Sequence, residues 1–74
     1  MKQTKYKIGD IIEETVWFIK SSGSIHFLII DIDEKHYVLH CLYSFRNYVA
    51  SVNDVFRYAI EAVDEHSHTY RKLV

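Results

Sequence analysis

What this chain of 74 residues lacks narrows it quickly. It contains no proline, so neither of its two central apolar runs is interrupted by a residue that cannot donate a backbone N–H. Cys41 is its one cysteine, which excludes an intrachain disulfide and the framework of a small secreted protein, and makes a reducing, cytoplasmic setting the expected one. Two glycines cannot supply a phosphate-cradling glycine loop. Charge of one sign is also missing: nine Lys and Arg stand against ten Asp and Glu, a net of −1, so there is no general field for a polyanion and nucleic acid is a disfavoured partner. No uncharged stretch, Ser21 to Ile30 included, approaches the ~20 residues of a membrane-spanning helix. The basic start Met1 to Lys7 is followed by Asp10, Glu13 and Glu14 rather than an apolar signal core, so neither a secretion signal nor a membrane partner is expected. Repeats, low-complexity segments and linkers are absent. One domain over residues 1–74 is expected, with 1–7 as a polar lead-in.

What is present is apolar and aromatic: 49% hydrophobic residues, with six Tyr, four Phe and one Trp, well clear of disordered composition. Two strand-like runs, Ile25 to Ile32 and Tyr37 to Tyr43, flank the polar turn Asp33-Glu34-Lys35-His36 and read as a β-hairpin. A first strand is expected from about Ile11 to Lys20, with Ile12, Glu14, Val16 and Phe18 on one face and Ile11, Glu13, Thr15, Trp17 and Ile19 on the other. The carboxylates spoil its alternation and suggest a bulge. Ser21-Ser22-Gly23-Ser24 reads as the clearest turn, Ser44 to Asn47 as a loop, and Tyr48 to Val52 as a short strand. For the remainder two readings compete. Ser51 and Asp54 resemble a capping box, which with Val52, Phe56, Ala59, Ile60 and Val63 would give an α+β chain with three or four strands and a helix at about 54–66. The preferred reading is a strand from Val55 to Ala62, a helical turn over Val63 to His66 and a last strand from Tyr70 to Val74. That version is all-β: a small SH3-like barrel or a bent antiparallel sheet of five or six strands.

The opening Lys7-Ile8-Gly9-Asp10-Ile11-Ile12, the succession of short strands and the closing Ile60-Glu61-Ala62-Val63-Asp64-Glu65 before Tyr70-Arg71-Lys72-Leu73 resemble the small SH3-like barrels of bacteriophage and mobile-element proteins. The resemblance implies a binding module, and its phage examples include inhibitors of host machinery. It carries over no site residue.

Candidate chemistry is sparse. His66 and His68 would share a face of an extended segment and His40 adjoins Cys41, but neighbouring strand residues face opposite sides and no zinc-ligand ladder is present, so neither metal nor cofactor is expected. A Cys41 nucleophile would need His40 or His36 as base, whereas a lone cysteine in an apolar strand is ordinarily core. Asp31, Asp33 and Glu34, like Asp10, Glu13 and Glu14, fit a solvated turn and a charged edge better than an acid-base pair. The aromatics are more telling. Trp17, Tyr37, Tyr43, Phe45, Tyr48, Tyr58 and Tyr70 exceed what so small a core encloses, and the expected partner-binding residues are Tyr43, Phe45, Arg46 and Tyr48, with Arg57. The expected function is non-enzymatic binding of a host protein, of a defence or transcription complex, by steric occlusion. The alternatives are a nucleic-acid-binding barrel, with Arg46, Arg57, Arg71 and Lys72 on phosphates, and sequestration of a nucleotide-like ligand. A homodimer through an unpaired edge strand suits so short a chain.

Overall fold

Alternating apolar residues build five antiparallel strands in a computed structural model that describes residues 3–18, 21–45 and 51–73. The strands are β1 (Ile11–Phe18), β2 (Ser21–Ile32), β3 (His36–Ser44), β4 (Val55–Ala59) and β5 (Tyr70–Lys72), with one helix, α1 (Ile60–Glu65), between the last two. They form one open, bent sheet in the order β4-β3-β2-β1-β5, so the fold is the five-stranded all-β form with a short helix. Its concave face is the core. Ile12 of β1, Ile25, Phe27 and Ile29 of β2, and Tyr37, Leu39 and Cys41 of β3 are buried there, each set at the two-residue spacing that puts side chains on one face. Ile60 and Val63, three apart on α1, close one end of it.

The imperfect alternation of β1 has a physical cause other than a bulge. The β1–β2 register runs unbroken from Ile11↔Leu28 to Phe18↔Ser21, and Glu14 points into the concave face. There Tyr58 of β4 donates its hydroxyl to Glu14 Oε1 at 2.9 Å, and Tyr70 of β5 donates to Oε2 at 3.3 Å. The two phenol rings stand edge to face at 6.0 Å, and Phe27 packs on Tyr58 at 5.5 Å. The two edge strands are thereby joined through a carboxylate on β1.

Bulges do occur, in the β2–β3 pairing, between His26 and Phe27 and between Ile29 and Asp31. Ser21 to Ser24 is strand rather than turn. The reason lies at Gly23, where a Cβ would overlap the ring of Phe45, so this glycine serves close approach and not reversal. The lead-in is also more than polar overhang: Tyr6 is buried, its N–H donates to the Tyr37 hydroxyl at 3.2 Å, and that hydroxyl donates to Asp64 of α1 at 2.6 Å.

Toward the C-terminus the strand reading holds, with β4 ending at Ala59 and the helix taking residues 60–65. Ser51 and Asp54 do bond reciprocally, Ser51 N–H to Asp54 Oδ2 at 3.1 Å and Asp54 N–H to Ser51 O at 3.0 Å. Asn53, however, adopts φ 75° between them, which turns the chain into β4 instead of a helix. Of the expected strand at 48–52, Ser51 and Val52 lie in this turn and the rest falls outside the described residues.

Tyr58→Phe and Tyr70→Phe should each cost about 1–2 kcal/mol in urea unfolding, with the pair less than additive because both hydroxyls serve one carboxylate; full stability in both variants would show that the shared carboxylate contributes nothing. Burial and, next, the Glu14 charge push the Tyr70 hydroxyl up to about 12 and raise Tyr58 further, while burial and the Asp64 hydrogen bond push Tyr37 to about 12. The fold holds these phenols neutral, so their contribution is whole below the ordinary tyrosine value of 10.0 and is lost as pH rises toward about 12. Absorbance at 295 nm should show these three tyrosines ionising late, together with alkaline unfolding.

Candidate protein-docking face

The alternation that buries one face of the sheet sets the other face outward. Across it, in strict register, run Arg71 of β5, Glu13 of β1, His26 of β2 and Tyr43 of β3. Arg71 Nε donates to Glu13 Oε1 at 2.8 Å, and His26 Nε2 lies 3.2 Å from Glu13 Oε2 and 3.3 Å from Ser24 Oγ. The Arg71 hydrogen bond, aided by its charge and by His26 and opposed by partial burial, holds the Glu13 carboxyl below its ordinary range. The His26 ring then meets that of Tyr43 at 5.3 Å. This row fixes Tyr43 from one side.

The bulge beside His26 does the rest. Phe27 pairs with Cys41 and His26 with Tyr43, which leaves Leu42 as the extra residue, so Leu42 and Tyr43 are both exposed in succession. Farther along the same face Trp17, opposite Ser22, is 74% exposed, and Tyr43 is 50% exposed. By strand and row spacing the two aromatics stand roughly 16 Å apart. Phe45 is half-buried and turned toward Gly23.

Of the residues expected to bind a partner, Tyr43 stands on this outer face, Phe45 turns instead to Gly23, which shares the core face with Ile25, and Arg46 and Tyr48 lie outside the described residues. Arg57 does not join Tyr43. It sits on β4 opposite Val38, five residues along β3 from Tyr43, and is ion-paired with Asp33. Asp33 also accepts the N–H groups of Lys35 at 2.8 Å and His36 at 2.7 Å, and these bonds, first that from Lys35, keep its carboxyl below the ordinary value despite partial desolvation. The depression there, about 330 Å³ and lined by Asp33, Glu34, Lys35, His36 and Arg57, is open to solvent. Sequence reasoning placed Trp17 among the surplus aromatics but did not group it with Tyr43, nor find the Glu13-His26-Arg71 row. The hairpin register would have brought His26 beside Tyr43; the exposure of Leu42 needed the bulge.

The remaining candidates resolve on geometry. His66 caps α1 and its Nδ1 lies 2.6 Å from Ala62 O, so His66 to His68 is a turn rather than an extended segment. Among the described residues no three His, Cys, Asp or Glu side chains gather as a metal would require. Cys41 is fully buried, and desolvation raises its thiol above the ordinary value. No helix among the described residues is long and apolar enough to cross a membrane. No protein-family model, curated protein or solved structure matches this chain.

The Cys41 thiol should fail to react with an aromatic disulfide reagent in the native protein and react stoichiometrically once urea unfolds it. Rapid labelling of the folded chain would return Cys41 to the list of chemically active groups.

Proposed function

We propose that this chain is a small non-enzymatic binding module that acts by covering a surface of another protein with the Trp17–Tyr43 end of its outer sheet face. The observation that carries this reading is the pair of exposed aromatics, Trp17 on β1 and Tyr43 on β3, on the same outer face with exposed Leu42 beside Tyr43. Such side chains bury much area at low entropic cost, and tryptophan and tyrosine dominate binding hot spots. Tyr43 is also pre-positioned by His26 and, through it, by Glu13 and Arg71, which lowers the cost of ordering on association. The resemblance to phage and mobile-element barrels makes a host protein the expected partner and steric occlusion the mechanism. Charge does not favour nucleic acid, because Arg57 and Arg71 are each engaged by a carboxylate of the chain.

The test is capture of a stoichiometric protein from bacterial lysate by the tagged chain, with and without nuclease. The double variant Trp17→Ala/Tyr43→Ala should bind that protein at least tenfold more weakly, a loss of about 1.4 kcal/mol or more, while melting within a few degrees of the parent. Capture that disappears with nuclease, or a double variant that binds like the parent, would overturn the reading.

A further inference from the structure

The concave face is not wholly closed. Ile60 and Val63 of α1 cover one end of it, while Glu14, Val16, Phe56, Tyr58 and Tyr70 each keep part of their surface in solvent. Four strands contribute to this opening: Glu14 comes from β1, Phe27 lies buried beneath on β2, Phe56 and Tyr58 come from β4, and Tyr70 from β5. The rings in contact are not parallel. Tyr58 and Tyr70 stand at 72° and Phe56 and Tyr58 at 53°, with centroids 6.0 and 6.2 Å apart, and Phe27 meets Phe56 and Tyr58 at 78° and 67°. Parallel stacking would cover ring faces with one another, and this packing does not. The charge of Glu14 is a second observation. Asp10, Glu13 and Asp33 are each paired with a Lys, Arg or His, but among the described residues no such group lies within ion-pair distance of Glu14. Its two phenol donors satisfy its oxygens without neutralising it.

We propose that this opening binds a methylated ammonium ion, the head group of a quaternary amine or of a methylated lysine. The argument for that ligand is charge complementarity. Both phenol protons are given to the carboxylate, so these side chains offer a ligand the negative faces of rings, acceptor lone pairs and one uncompensated negative charge. An anion is repelled by every part of that set. A neutral polar ligand finds no donor in it. A small metal ion needs several oxygens at close range, and an unmethylated ammonium is strongly hydrated, whereas both Glu14 oxygens already accept a hydroxyl. A methylated ammonium spreads its charge over an apolar surface and is held by ring faces, the interaction that aromatic cages exploit. Glu14 and these rings lie on the face opposite Trp17 and Tyr43, so the proposal stands apart from the docking end.

Choline and N-acetyl-trimethyllysine amide are the probes, each titrated into the parent chain and followed by ring-proton and amide shifts. Both should bind with a Kd on the order of 1 mM, as a few ring contacts and one charge imply, and should shift the rings of Phe56, Tyr58 and Tyr70. The tighter of the two identifies the source, a free amine or a protein side chain. Choline's neutral analogue, in which a tert-butyl group replaces the trimethylammonium, has the same shape and should bind at least about tenfold more weakly. Glu14→Gln, which keeps an acceptor for a phenol and removes the charge, should lose choline affinity by a similar factor. Its amide spectrum reports whether it folds, and the comparison with the neutral analogue on the parent chain stands in either case. Equal affinity for choline and its analogue, a folded Glu14→Gln that binds like the parent, shifts centred on Trp17 and Tyr43, or no shift at about 50 mM of either cation would each overturn the proposal.

Discussion

The architecture depends on one carboxylate placed where an apolar residue would be expected. Glu14 faces the core side of β1 and accepts hydroxyls from both edge strands, Tyr58 on β4 and Tyr70 on β5. A lone carboxylate in that position would be costly to desolvate, and two lone phenols would leave buried polar groups unpaired. Together they satisfy one another and draw the sheet into its bend. Phe27, Phe56 and the two tyrosine rings then close around each other edge to face or tilted, with centroids between 5.5 and 6.2 Å. In a chain so short, aromatic packing of this kind replaces the second layer that a larger domain would supply.

With the bend set, the two bulges of the β2–β3 pairing divide the outward face. The one beside His26 adds Leu42 to the Tyr43 end, and the one after Ile29 projects Ile30 into the middle. Each bulge adds a residue to one strand only, so each changes what the surface offers while the core register on the far side is preserved. The polar row of Arg71, Glu13 and His26 lies between the two regions and keeps them chemically distinct.

Much of the fold was legible because period-2 alternation is a strong signal in β2 and β3, where Phe27, Ile29, Tyr37 and Leu39 fall on one face and the Asp33 turn is chemically explicit. Local reasoning failed where a distant contact decides. Ser21 to Ser24 has turn chemistry, yet Gly23 is needed by Phe45, a residue more than twenty positions away. Glu14 looked like a break in the pattern because its partners lie 44 and 56 residues downstream. Tyr6 looked like part of a polar lead-in because its burial depends on Tyr37. The docking end was legible only in part. Surplus aromatics pointed to Tyr43, but linking it to Trp17 and separating it from Arg57 required the strand order and register.

The short outer strands bear on how far association can go. β4 spans five residues and β5 three, and the phenols of both are turned inward onto a common acceptor. A long, flat edge would recruit strands from other molecules and propagate into filaments; these edges are brief and curl toward one another. The same carboxylate that joins the two outer strands thus also turns both margins inward, so that they offer little straight edge to another strand.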